Sequence, residues 1–451
     1  MEDAIKKKHI FSKKNLIALI IPLIIEQLLA VSVGMADSMM IASVGEAAVS
    51  AVSLVDAINI LLINIFAALA TGGAVVAGQY IGNNKSDKAK SAGEQLIVFV
   101  TIISLFIMAL MLVGKSFILN VVFGSIDHDV ASYANTYMTI VFFSIPFIAI
   151  YNCGAALFRT MGNSKITMNT SIIMNGINIV WNAILIYGFK MGVKGVAIPT
   201  LISRAVAAII IIVLLRNENL VINVRQYFKF KFDRLIIRNI LRVGIPNGIE
   251  NSMFQLGKIL LLSVVSGFGT SAIAANAVAN TVTNFQMLPA GAIGLGLITV
   301  ISQSVGANDY EQARYYTKTL HKYAYLSLLA VNGLVFFAIP FILRAYNLSL
   351  ETSIMARKVI IFYGINACII WPLAFTLPNT LRAANDAKFT MIISVSSMWI
   401  TRIGMGIFFA KVMNFGMFGV WMGMWCDWYV RALFFVIRFI GSKWERVSEP
   451  N

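Results

Sequence analysis

Charge is what this sequence has least of. Asp, Glu, Lys and Arg make up 12% of its 451 residues, against roughly 25% in soluble domains, which excludes an ordinary water-soluble globule. Cysteine is nearly absent. Cys153, Cys368 and Cys426 all lie in apolar runs and read as small packing residues, not disulfide partners or metal ligands. No cluster of His, Cys and carboxylates has metal-ligand spacing. Gly294-Leu295-Gly296 is not followed by a Lys-Ser/Thr pair, and no other nucleotide motif occurs. Neither an enzyme nor a cofactor is expected. A cleavable leader is not expected: the first apolar stretch follows a Lys-rich start but carries Pro22, Glu26 and Asp37 and lacks an obvious small-residue cleavage site. It is read as an uncleaved first span.

What is there is hydrophobic. Apolar residues make up 59% of the chain, and the mean hydropathy is +0.80. A membrane span needs roughly 20 mostly apolar residues, and the runs accommodate about twelve, estimated at 16–40, 50–81, 95–114, 134–158, 167–189, 195–215, 245–266, 272–304, 323–343, 359–381, 390–410 and 416–437. In lipid the backbone must satisfy itself, so an all-α integral membrane protein is expected. The net charge of +16 is distributed by side. Loops on the side of the N-terminus hold 25 Lys and Arg, and the opposite loops hold seven. This positive-inside bias puts both termini in the cytoplasm. It makes lipid, not nucleic acid, the partner of the basic residues. The abundance of Ile, Lys and Asn suggests an AT-rich bacterial genome, hence a bacterial plasma (inner) membrane.

The chain also contains itself twice. Shifted by 224 positions, residues 22–89 fall on 246–313 without a gap. Pro22 and Glu26 meet Pro246 and Glu250; Gly72, Gln79, Gly82 and Asn84 meet Gly296, Gln303, Gly306 and Asn308. Arg159 through Met168 returns, with a one-residue slip, as Arg382 through Met391, and Gly192 and Gly195 return as Gly416 and Gly419. Two fused copies of six spans each must start on the same side of the membrane. They are then parallel repeats related by a pseudo-two-fold axis along the membrane normal, with a cleft between them. The expected organisation is an N-lobe over 1–215, a cytoplasmic linker over 216–244 and a C-lobe over 245–451. Residues 233–244 read as an amphipathic helix on the inner leaflet.

Ionisable residues inside spans cost roughly 2.5–3.5 kcal/mol each on insertion scales and therefore face cavities or partners. Glu26 and Glu250 lie at equivalent depths. They handle protons or cations in the cleft, or they are buried carboxyls bonded to a neighbouring helix. Asp56 joins this cleft group. Lys258, two turns beyond Glu250, is an ion-pair partner or a charge gate. Arg402 requires an anion or carbonyl that the sequence does not name. Asp427 and Arg431, spaced i, i+4, should pair. Asp37, Asn178, Asn182 and Thr200 come to compatible depths and offer only oxygen ligands. They form a site for a small hard cation or a hydrogen-bonded interhelical cluster.

With these residues in view, the chain resembles the multidrug and toxic compound extrusion (MATE) family along nearly its whole length. The resemblance rests on Pro22 through Asp37, Gln79-Tyr80-Ile81-Gly82, the Arg159-to-Asn163 turn, Asn178, Asn182 and Gly188 with Gly192 and Gly195, and Pro246 through Glu250. It implies two six-helix lobes and an antiporter that exports small, amphipathic, often cationic organic compounds in exchange for H⁺ or Na⁺ by alternating access. Lipid-linked sugar flippases and dedicated metabolite exporters of the same superfamily are the alternative. It also implies an N-lobe cation site, possible for Na⁺, to which Asp37, Asn178 and Thr200 correspond. At the third position of that site this chain has Asn182 where the family has Asp, so a single coupling ion is expected. The span-10 acid of some relatives has no counterpart in 359–381, and Glu250 is the candidate for that half. A monomer is expected.

Overall fold

The computed structural model describes residues 9–124, 127–224, 232–346 and 348–447. Parts of the basic N-terminal arm, of the outer loop over 116–133 and of the proposed linker lie outside the described residues. No strand occurs among those described. The long helices are α1 (Lys13–Ala42), α2 (Glu46–Gly82), α3 (Ser86–Val113), α4 (His128–Phe143), α5 (Ile145–Thr160), α6 (Ser164–Gly188) and α7 (Lys194–Leu215) in the first half. The second half holds α8 (Arg234–Ser266), α9 (Thr270–Gly306), α10 (Tyr310–Ala345), α11 (Leu350–Ala383), α12 (Ala387–Val412) and α13 (Gly416–Ile440). Helices α4 and α5 meet at a 44° bend and count as one span, with Pro146 in the first turn of α5. Ten other helices are long and apolar enough to cross a membrane. Helix α8, with three arginines in its first turns and Glu250 and Lys258 in its course, falls outside that count by composition, but as the repeat of α1 it is the first helix of the second lobe and the twelfth of the set. The chain thus forms two six-helix lobes.

The linker expectation is corrected in one respect. Residues 234–244 are not a separate helix lying on a leaflet but the first turns of α8. Asp233 caps them, accepting from the amides of Leu235 and Ile236 at 2.9 and 3.2 Å. Arg234, Arg238 and Arg242 follow a four-residue spacing along one stripe, while Ile236, Ile237, Ile240 and Val243 are buried. Their backbone lies against α2, where a β-carbon on Gly72 would collide with the Ile240 carbonyl.

Burial separates central helices from lipid-facing ones. In α9, 78% of the apolar window is buried, but only 22% in α3 and α10. Phe106, Phe337 and Phe341 accordingly point outward. Helices α2 and α9 each run 37 residues, about 55 Å at 1.5 Å per residue.

The duplication reappears in the backbone. Left-handed residues recur at matching positions: Gly45 and Gly269, Asn84 and Asn308, Gly162 and Asn385, Gly192 and Gly416. The one-residue slip also has a physical location. The wide π-turn at Ile184–Gly188 matches Phe408–Val412 at the 224 offset, but the second half has two further ones, at Pro372–Thr376 and, where the register returns to 224, at Ser397–Met405. The extra residue of that half is absorbed there.

The lobes meet reciprocally at one end. A β-carbon on Gly82 would overlap the Gln303 carbonyl, and one on Gly306 would overlap the Gln79 carbonyl. Gln79 Nε2 donates to the Ala383 carbonyl at 2.8 Å, and Gln303 Nε2 donates to that of Thr160 at 2.7 Å. Thr160 and Ala383 are themselves repeat partners. Leu19, Ile20 and Leu23 of α1 crowd Gly296 of α9.

Alanine normally improves a helix by about 1 kcal/mol over glycine. At Gly82 or Gly306 it should do the opposite, costing about 1–3 kcal/mol as an overpacked contact. Thermal melting in detergent should fall for Gly82→Ala and Gly306→Ala but not for Gly34→Ala, whose β-carbon meets nothing within 4 Å. Equal melting temperatures for all three would contradict the contact.

Candidate functional site

Near the far end of α1, Asp37 faces α6 and α7. Asn178 and Asn182 are one turn apart on α6, so they share a face, and Thr200 follows Pro199 on α7. The structure brings all four together. Asn182 Nδ2 donates to Asp37 Oδ1 at 2.7 Å and to Asn178 Oδ1 at 3.2 Å, and Asn178 Nδ2 donates to Thr200 Oγ1 at 3.3 Å. With its amide turned over, Asn178 would instead donate to both Asp37 oxygens, at 3.0 and 3.3 Å, and accept from Thr200. Asn182 is fully buried, and its Oδ1 has no partner. A buried carbonyl oxygen without a donor is costly. Turning that amide would aim its oxygen at Asp37, which is favourable only with a cation or proton between them. The donor set is one carboxylate, two amide oxygens and a hydroxyl, all hard oxygens of the kind Na⁺ accepts.

Sequence reasoning missed a second layer. Asp56 belongs beside this site and not with Glu26 and Glu250. Its Oδ1 accepts from Tyr137 OH at 3.1 Å. Arg204, one turn beyond Thr200, donates to Ser144 Oγ at 2.8 Å and to Asn59 Oδ1 at 3.4 Å. The charges of Asp56 and Arg204 both act on Asp37. Arg204 offsets one of the two carboxylates and leaves a net charge of about −1. The i, i+4 spacing of Thr200 and Arg204 was the available signal.

Glu26 and Glu250 lie elsewhere. Glu26 precedes Asp37 by eleven residues, about 16 Å along the helix. It accepts from Arg159 Nη2 at 2.5 Å and from Thr167 Oγ1 at 2.9 Å. Glu250 accepts from Arg382 Nη2 at 2.7 Å, and Arg382 also holds Asn379 Oδ1 at 2.7 Å. Both carboxylates are buried. Each is thus tied to the arginine of its own repeated turn, which favours the bonded-carboxyl reading. Those turns carry the seal between the lobes: the Arg159 carbonyl accepts from Thr299 Oγ1 at 3.1 Å.

In the C-lobe, Asp427 and Arg431 pair at 2.8 Å as their spacing predicts, with Ser397 Oγ donating to Asp427 at 2.5 Å. Lys258 and Arg402 stand near them around the Phe254 ring, 5.1 and 5.0 Å from its centroid. Lys258 is 8 residues past Glu250 but forms no ion pair with it.

Breaking a buried pair by removing one partner costs about 3–5 kcal/mol, while replacing both is far milder. Arg159→Gln should therefore destabilise the protein to chemical unfolding in detergent by about that amount, and Glu26→Gln added to it should recover most of the loss. A double-mutant cycle with no coupling would rule the pair out as a structural tie.

The MatE family model matches the chain twice, over residues 22–184 and 246–408, the second match starting 224 residues after the first. The chain is 25% identical over 419 residues to a probable multidrug resistance protein, YoeA, of Bacillus subtilis, covering 90% of this chain and 88% of that one. It is 24% identical to a probable multidrug resistance protein, NorM, of Thermotoga maritima, over 96% and 93%. Among solved structures, the outward-facing conformation of a multidrug resistance MATE family transporter superposes with a TM-score of 0.89 at 20% identity, covering 95% of this chain and 96% of that one; at that identity the likeness speaks for the fold. Two matches of one family model, together spanning most of the sequence, make the chain a member of the MatE family of membrane transporters.

Proposed function

We propose that the protein is a secondary active antiporter that exports small organic compounds, amphipathic and often cationic, in exchange for H⁺ or Na⁺ by alternating access. The observation that carries this reading is the Asp37 cluster, in which a half-buried carboxylate faces a buried Asn182 amide whose oxygen is unpartnered. Arrival of a proton or Na⁺ at Asp37 removes the reason for the Asn182 N–H to point at the carboxylate. The amide can then turn and satisfy its oxygen. Helix α1 carries this change along its length, because its other half, at Leu19, Ile20 and Leu23, packs on Gly296 of the opposite lobe. A shift of α1 thus reaches the seal.

Arg204 offsets Asp56, so Asp37 alone supplies uncompensated charge, which supports one monovalent ion per cycle. In this reading residues 1–215 and 245–451 are the two moving units, and a monomer suffices. The basic loops face the cytoplasm of a bacterial plasma membrane, and the joined ends of the lobes close the cytoplasmic side.

The test is efflux of an amphipathic organic cation from proteoliposomes under an imposed Na⁺ gradient or an imposed pH gradient, one at a time. Transport under Na⁺ alone assigns Asp37, Asn178, Asn182 and Thr200 to sodium; transport under the pH gradient alone makes Asp37 the proton carrier. Asp37→Asn should reduce coupled efflux to the level of empty liposomes while the protein still inserts and folds. Full transport by that variant would overturn the assignment, and two ions counted per cycle would overturn the stoichiometry. If neither gradient moves the cation, a flippase or metabolite carrier replaces drug export.

A further inference from the structure

The repeat that builds the N-lobe cation site also builds its counterpart in the C-lobe. At the 224 offset, Asp37 corresponds to Leu261, Asp56 to Asn280, Asn178 to Arg402 and Thr200 to Met424, while Lys258 takes the place of Gly34. These C-lobe residues come together. Lys258, Leu261, Asn280, Arg402 and Met424 line one cavity of about 230 Å³, with Trp421 on its wall. The cavity keeps its place in the fold, but its charge is inverted: the titratable oxygen ligands are gone and two cations stand in their stead.

Neither cation is satisfied by the protein. Arg402 is 8% exposed, its Nε has no partner, and no hydrogen bond or ion pair to it occurs among the described residues. Lys258 is exposed and equally without an ion pair; its contact is the Phe254 face. The neighbouring carboxylate, Asp427, is held through Oδ1 by Arg431 at 2.8 Å and by Ser397 at 2.5 Å; its Oδ2 is unpartnered, and it attracts Arg402 without bonding to it. Arg431 is itself satisfied further by the Ser394 carbonyl at 3.0 Å. The group therefore carries three positive charges to one negative. A cation–π contact contributes about 0.5–2 kcal/mol, less than the several kcal/mol needed to desolvate a buried ion. A guanidinium offers five donors in a planar fork that suits a carboxylate in two-point contact. The cavity is smaller than a typical drug pocket of about 300–1,000 Å³, so it suits one functional end of a molecule.

We propose that this C-lobe cavity is an anion site that takes the carboxylate of an organic molecule, with Arg402 gripping it and Lys258 attracting it at the mouth. A transported compound of this protein is then zwitterionic, its cationic end toward the acidic N-lobe cluster and its carboxylate end in the C-lobe. The anion site stands on geometry alone; only its part in transport rests on the antiport reading.

Binding is therefore tested without a gradient, on the full-length protein in detergent at low chloride. The probes are rhodamine B, a zwitterion with a free carboxylate, and its ethyl ester, which keeps the cation and loses the acid. Fluorescence anisotropy should give an affinity about tenfold higher for the acid than for the ester. Arg402→Gln should abolish that preference and leave ester binding intact. Arg402→Lys should retain part of it, and Lys258→Gln should reduce it several-fold. Asp37→Asn should weaken both dyes alike, since both keep the cation, which separates this site from the coupling site. If Arg402→Gln does not fold, Lys258→Gln at the mouth serves in its place. Equal affinities for the two dyes in the wild type, no binding of the acid, or a preference that survives both substitutions would overturn the proposal. So would binding of chloride without the carboxylate dye.

Discussion

Everything in this molecule depends on how closely two helix backbones can approach in a solvent that does not push them together. Lipid tails are as apolar as leucine, so association of helices rests on packing and on hydrogen bonds between them. At Gly82 and Gly306 the absence of a β-carbon lets each helix sit on the other lobe's carbonyl. Gln79 and Gln303 then reach the turns at Ala383 and Thr160. Those turns are fixed in place by Arg382–Glu250 and Arg159–Glu26. Small residue, amide and ion pair form one chain of dependence, present once in each half.

Most of the architecture was legible because two periodicities are written directly in the residues. Apolar run length gives spans, and a 224-residue shift gives two lobes. The four oxygen-bearing residues of the N-lobe site were legible from depth alone, since position along a helix converts to height. Lateral neighbours were not. Arg159 lies 133 residues from Glu26, and nothing local joins them, although this pair of opposite charges recurs in the second half as Arg382 and Glu250. Tyr137 and Arg204 were missed because contact between α4, α7 and α2 depends on rotation about each helix axis. The start of α8 was misread because Arg234, Arg238 and Arg242 gave it the look of a surface helix. The stripe opposite them packs on a neighbouring helix and not on headgroups.

The halves have kept their backbone in common and diverged in charge. The residues that shape turns and close approaches are paired almost one for one, as the left-handed positions demonstrate. Interior polar residues are not. The N-lobe holds carboxylates partly offset by one arginine, and the corresponding C-lobe space holds cations and apolar side chains. An added π-turn at Ser397–Met405 contains Arg402 itself, so a break in the repeat falls where the two interiors differ most.

The reciprocal contact at the joined ends has a mechanical meaning. It is an isologous interface within a single chain, of the sort that two-fold dimers form. For lobes moving as rigid bodies about the shared axis, any rotation that lifts Gly82 from Gln303 lifts Gly306 from Gln79 in the same motion. The two latches cannot be released one after the other. If this face opens as the proposed alternating access requires, it opens at both contacts together.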